Sequence, residues 1–167
     1  MSSELPCSTM KVQTEHAPLR SYAVTANVLL AAQPQVGDWA RLAAEGYTTV
    51  LNLRSDPERA ALQGRNAEAA GLRYLHRPWP AYQLDREHMD ELAAILADPH
   101  AGRIVFHCRS ATRVGLMWLL YRQLHHGWSR EQAEAELRAA GYDNEALETF
   151  AFCADDYFER AGEAITK

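Results

Sequence analysis

The sequence predicts a single α/β domain with a mostly parallel central sheet of about four to five strands, flanked by helices. Three observations carry this. Apolar or β-branched runs recur at 28–31 (VLLA), 48–53 (TTVLNL), 72–76 (LRYLH) and 103–107 (RIVFH). Helix-like stretches alternate with them, the pattern of strand–helix–strand units. Pro34, Gly46, Gly71, Gly127 and Gly141 punctuate the chain between these stretches. Strands without a polar face belong to a sheet covered on both sides.

Taken in order, residues 1–20 are polar, carry Pro6 and Pro18 and show no period, so they read as a mobile tail or arm. The domain is expected over 21–167, with order beginning near Tyr22. The strand 28–31 closes at a Gln33-Pro34 turn, and Asp38 reads as the N-cap of a helix to Glu45. The run 48–53 is a central strand. An Ala/Glu/Arg-rich helix over 57–70 stops at Gly71, and 72–76 is the next strand. Pro78-Trp79-Pro80 forces a loop. Asp85 caps a helix to Ala97 with Met89, Leu92, Ile95 and Leu96 on one side. The strand 103–107 follows, then a helix over 114–126 that is apolar almost all round and therefore central. Ser129 and Gln132 form a capping box for a helix to Ala140, and a last helix runs from Asn144 to about Ala161.

Composition excludes several classes. The chain has 167 residues, the size of one ordinary domain, and a net charge of −5 argues against a general nucleic-acid partner. No apolar run approaches membrane-spanning length, so no membrane partner is expected. Three cysteines, Cys7, Cys108 and Cys153, are too few and scattered for a disulfide framework. The expected compartment is the reducing cytoplasm. Cys7 and Cys153 read as structural, and the oligomeric state is left open.

The chemistry concentrates at 107–115, His-Cys-Arg-Ser-Ala-Thr-Arg-Val-Gly. Cys108 stands where a strand ends and a helix begins, and ligands of open α/β sheets bind at the carboxyl ends of strands. A helix N-terminus offers unpaired N–H groups and a positive dipole end, which bind anions and favour a thiolate. Arg109 adds charge. Amides of the loop through Ser110, Ala111, Thr112 and Val114 form an anion cradle. Arg113 is the bidentate clamp, because guanidinium matches two oxygens of a phosphate or sulfonate. The expected partner is an anionic substrate, a phosphate ester or a sulfur donor. The seven histidines show no metal-ligand spacing, so neither metal nor cofactor is expected, and His125-His126 reads as a surface feature.

These residues resemble the cysteine-dependent protein tyrosine and dual-specificity phosphatases, whose loop is His-Cys, five residues, Arg, Ser or Thr, Gly. The likeness extends to 27–34 (NVLLAAQP), 50–55 (VLNLRS) and the helices over 120–142, similar to bacterial atypical dual-specificity phosphatases. It implies attack of Cys108 on phosphorus, binding of the phosphoryl oxygens by Arg113 and the loop, orientation of the loop by His107, and protonation of the leaving group by an aspartic acid.

Four features depart from that pattern. Only four residues separate Cys108 from Arg113, one fewer than in the family. A loop this short resembles those of rhodaneses and of phosphatase-like domains linked to sulfur metabolism, which carry a persulfide on the cysteine. Ala111 replaces a Gly, a residue that tolerates positive φ. Val114 replaces the hydroxyl that helps expel the thiolate. Trp79-Pro80-Ala81 resembles the Trp-Pro-Asp loop with Ala81 in the acid's place, leaving Asp85 as a candidate acid that also reads as a plain N-cap. Arg54 and Glu58 follow a strand end and read either as pocket liners or as an ion pair. The leading expectation is a phosphatase-like hydrolase. A sulfurtransferase or persulfide carrier on Cys108, and a degenerate anion-binding or interaction module, are the alternatives.

Overall fold

The structure, a computed structural model, describes residues 18–80 and 83–162. The expected mobile arm therefore lies largely outside the described residues, as do Cys7 and Ala81. Five strands form one sheet: β1 (Ser21–Thr25), β2 (Val28–Ala31), β3 (Thr49–Asn52), β4 (Arg73–His76) and β5 (Ile104–His107). Six helices accompany them: α1 (Val36–Ala44), α2 (Pro57–Ala69), α3 (Arg86–Ala97), α4 (Thr112–His126), α5 (Arg130–Ala140) and α6 (Asn144–Ala161).

The strand order is β1-β2-β5-β3-β4, with only the β1–β2 edge pair antiparallel. That edge strand is absent from the sequence reading, which placed only the onset of order there. Val24 alone in β1 is buried, so it lacks the apolar run of a central strand. Its place is set by the tight Ala26-Asn27 turn and by pairing onto β2. Elsewhere the alternation of the pleat is put to use on both faces. Leu29, Ala31, Val50 and Val105 pack with Trp39 and Leu42 of α1 and Ala67 of α2. Leu30, Leu51, Ile104 and Phe106 pack on the other side with the α3–α6 layer. The eight buried residues of α4 explain why it is apolar all round: it lies between the sheet and α3, α5 and α6.

Helix ends follow local chemistry closely. Asp85 caps α3, Ser129 and Gln132 form the expected box on α5, and Gly127 and Gly141 cap the carboxyl ends of α4 and α5. Asp38 is a correction. The N-cap of α1 is Gln35, and Asp38 sits at N3, accepting from the Gln35 N–H at 2.8 Å. The capping box is thus present with its members reversed: the acid reaches back to the amide end from inside the helix. The α4 helix begins at Thr112, two residues before the apolar run suggested, which brings Arg113 into its first turn.

Candidate active site

β5 is central, hydrogen-bonded to β2 on one side and β3 on the other. His107 is in register with Ala31 and Asn52. Three strand ends therefore open together, followed by Gln33, Arg54 and Cys108. The Cys108 N–H completes the sheet on the Ala31 carbonyl at 3.2 Å, and the Gln33 N–H donates to the Arg109 carbonyl at 3.1 Å. These bonds fix the start of the loop. Cys108 itself is only 2% exposed.

The loop then turns into α4 at Ala111, whose φ of 70° is the only positive value of a non-glycine among the described residues. The methyl stands where the sequence argued for glycine, and the backbone still adopts the left-handed conformation. Two contacts hold it there. The Tyr142 hydroxyl donates to the Ala111 carbonyl at 2.7 Å, and the Gly115 N–H donates to the same oxygen at 3.3 Å. Ala111 is also the N-cap of α4 and has no side chain that caps. The first amides of the helix consequently lack the side-chain acceptor that an ordinary N-cap supplies. Ser110 Oγ donates to Thr112 Oγ1 at 3.1 Å, tying the two hydroxyls to each other. Val114 is fully buried and serves the core.

Arg113 is held from one side only. Its Nη1 donates to the Leu53 carbonyl at 2.9 Å and the Trp79 carbonyl at 3.2 Å, while its Nε is buried without a hydrogen-bond partner. One arm of the guanidinium is thereby anchored to the ends of two loops. The local sequence explains both anchors. Asn52 Oδ1 accepts from the Arg54 N–H at 2.8 Å and shapes the turn after β3. Trp79 is buried, with its Nε1 donating to Glu91 at 3.1 Å. The Trp-Pro segment thus belongs to the site through a main-chain oxygen.

A cavity of about 300 Å³ lies over Cys108, lined also by Arg109, Ser110, Thr112 and Arg113. Its opposite wall is Leu116 with Thr149, Phe150 and Cys153 of α6. The sequence reading missed this wall, because a helix 40 residues downstream carries no local sign of where it packs. Cys153, expected in the core, is half-buried at the cavity. Asp85 does not line it; its carboxylate accepts from the His88 N–H at 3.1 Å as the cap of α3.

Of the two expected readings of Arg54, the ion pair with Glu58 is not found among the described residues. The Arg54 Nη1 donates to Gln33 Oε1 at 3.0 Å across the strand ends. Burial lowers its pKa, nearby Arg59 and Arg109 lower it further, and Asp56 and Cys108 oppose them. It is a cation of the site that the loop sequence alone did not include. The Tyr142 pKa is pushed up, by burial first and then by Cys108 and Tyr22. His107 is fully buried and its pKa falls to about 4, chiefly from burial; its bond to the Cys108 carbonyl opposes this, and Arg54 and His76 add to it. That bond joins Nδ1 to the carbonyl at 3.3 Å, and a carbonyl only accepts, so Nδ1 carries the proton. Nε2 is buried and unprotonated, without a partner. A neutral histidine of this kind orients the loop. No group of three or more His, Cys, Asp or Glu residues suited to a metal exists among the described residues, and no described helix is long and apolar enough to cross a membrane.

Comparison with known proteins places the chain in a family and a fold. Residues 20–125 match the family model of the phosphatase-like domain of beta-lactamase hydrolase-like protein. A beta-lactamase hydrolase-like protein of Xylella fastidiosa (strain 9a5c) is 25% identical over 130 residues, 75% of this chain and 30% of that protein. The chain thus spans about a third of the length of the curated relatives it matches. Among solved structures, TpbA of P. aeruginosa superposes with a TM-score of 0.64 at 25% identity, covering 84% of each chain. TpbA has also been solved in complex with phosphotyrosine. The protein nma1982 of Neisseria meningitidis superposes with a TM-score of 0.65 at 18% identity, covering 79% of this chain and 96% of the other. These relationships favour neither the sulfur carrier nor the non-catalytic module. The strand–Cys108–Arg113–helix site therefore sits in a protein tyrosine phosphatase-like fold, and the chain belongs to the phosphatase-like domain family of the beta-lactamase hydrolase-like proteins.

Proposed function

We propose that this domain hydrolyses phosphate monoesters through a phosphoryl intermediate on Cys108. The observation that carries the proposal is that Arg113, anchored through Nη1 on the Leu53 and Trp79 carbonyls, lines the same cavity as Cys108. A guanidinium binds two phosphoryl oxygens side by side, and the uncapped start of α4 supplies amides for the third.

The Cys108 thiolate attacks phosphorus, the S–P bond forms, and the P–O bond to the alcohol breaks. The alcohol oxygen leaves with the electron pair and takes a proton from water, since Asp85 does not line the cavity. Water then attacks phosphorus and the S–P bond breaks, returning the thiolate and releasing phosphate. Arg113 and the loop amides stabilise the charge that spreads over the phosphoryl oxygens in both steps. Arg54 and Arg109 bring the anion in. His107 holds the loop through the Cys108 carbonyl.

The departures shape the kinetics. Ala81 cannot donate a proton, and Asp85 is engaged as a helix cap, so acidic leaving groups such as phenols are turned over best. Val114 has no hydroxyl for the departing thiolate, so the second step is the slower one. A reducing compartment such as the cytoplasm keeps Cys108 free. Purified protein is expected to release a burst of p-nitrophenol from p-nitrophenyl phosphate, followed by slow turnover. Cys108→Ser is expected to abolish both phases, and activity retained in that variant would sink the proposal.

A further inference from the structure

A second cavity adjoins the one over Cys108. The two share Leu116 and Cys153. The second holds about 120 Å³, and its walls are Leu84, Leu120, Phe152 and Tyr157. Resting on the phosphatase reading above, we infer that the alcohol part of the substrate is an elongated apolar body, lying along this groove between α4 and α6 with its phosphate at Cys108.

Three observations exclude a polar occupant. The groove's only charged groups are Asp156 and Arg160, and they pair with each other at 2.7 Å. Arg160 also donates to the Leu84 carbonyl at 3.1 Å, holding the loop before α3 against α6. A second phosphate here would meet the Asp156 carboxylate and no uncommitted cation. On the α6 wall nearer Cys108, the Thr149 hydroxyl is already bonded to the Glu145 carbonyl at 3.2 Å. The cations of the site are Arg54 and Arg109, in the loops after the strands, and Arg113, in the first turn of α4; none of them lines the second cavity.

Apolar groups line the path instead. Phe152 is 77% exposed at its rim, one of three large hydrophobic residues so exposed among the described residues. Burying an apolar chain against it removes that surface from water. The distal volume accommodates roughly four water-sized groups, which sets the length over which a chain gains affinity.

The test is a series of 4-alkylphenyl phosphates from phenyl to hexylphenyl, together with a 4-(carboxyalkyl)phenyl phosphate of matching length. The leaving-group acidity is nearly constant along the alkyl series, so kcat/KM reports the groove. It is expected to rise roughly two- to fourfold per methylene, to level off once the groove is filled, and to be lower for the carboxylate. Phe152→Gln, at an exposed position that does not threaten folding, is expected to flatten the rise. Equal kcat/KM across the series, preference for the carboxylate, or an unchanged rise in Phe152→Gln would overturn the inference while leaving the phosphatase reading standing. Failure to hydrolyse any compound, phenyl phosphate included, would overturn both.

Discussion

The Tyr142 hydroxyl donates to the Ala111 carbonyl at 2.7 Å. This one bond links the turn after α5 to the left-handed residue at the start of α4, across 31 positions of sequence. Tyr142 also stacks on Tyr22 of the edge strand, with ring centroids 3.8 Å apart. The loop's shape therefore rests on groups outside it. Tyr142→Phe keeps the ring and removes the donor. It is expected to cost about 1 kcal/mol of stability, because the Gly115 N–H still reaches the Ala111 oxygen. Urea unfolding checks this, and kcat/KM for an aryl phosphate is expected to fall with it.

Ala111 combines opposing effects of similar size. The left-handed conformation costs a non-glycine residue about 1–2 kcal/mol. Ala111→Gly relieves that but loosens the unfolded chain by about 0.4–1 kcal/mol and empties a buried methyl site worth about 0.8 kcal/mol. The net change is expected within about 1 kcal/mol. Ala111→Val adds a β-branched side chain at φ 70° in a fully buried position, and is expected to destabilise by more than about 2 kcal/mol. Thermal unfolding of the two variants should rank them Gly close to wild type and Val far below.

Arg113→Lys separates charge from geometry. An ammonium reaches one carbonyl anchor or the anion, and it has no second arm to bind both at once. The expected loss in kcat/KM is about a hundredfold or more. Steady-state kinetics with an aryl phosphate measures it, while circular dichroism verifies that the fold is kept.

His107 ties stability to pH. Its pKa is near 4 in the folded protein against an ordinary 6.5. Between these values the unfolded chain binds the proton and the folded protein does not, so stability falls as pH drops through this window. The full contribution is present above about pH 6.5 and is lost towards pH 4, to a limit of roughly 3 kcal/mol. Denaturant titrations at pH 7 and pH 4.5 are expected to show the decline, and His107→Gln to lack that component.

Gly115 is required by packing. A Cβ there would lie 2.7 Å from Cε2 of Phe150 and 3.0 Å from Cζ of Tyr142. Gly115→Ala gains about 1 kcal/mol in helix propensity but forces both rings to move, at about 1–3 kcal/mol. A net loss of stability is expected, with a lower Tm. Adding Phe150→Leu, which shortens the obstructing side chain, is expected to recover part of it, giving a non-additive double-mutant cycle.

Much of the architecture was legible in the chain. All six helices and the four parallel strands could be placed, because each has a local signal: a cap such as Asp85 or Ser129, a stop such as Gly127, or a two-sided apolar run such as 104–107. The inversion at α1 arose because Gln35 is an unusual cap and Asp38 an ordinary one, so preference pointed to the wrong partner of a real pair. β1 was missed because one buried residue makes too weak a pattern, and its hydrogen bonds are all to another strand.

By itself, the sequence determined the order of elements and the placement of Cys108 and Arg113 at a strand-to-helix junction. Those depend on periodicity and on side-chain-to-backbone bonds spanning three or four residues. Only the tertiary structure decided what surrounds that junction. It anchored Arg113 on the Leu53 and Trp79 carbonyls, brought Arg54 into the field of Cys108, pinned Ala111 through Tyr142 and set α6 as the far wall. Each of these joins residues that are distant along the chain, and their meeting is a consequence of packing both faces of the sheet, which no local pattern encodes.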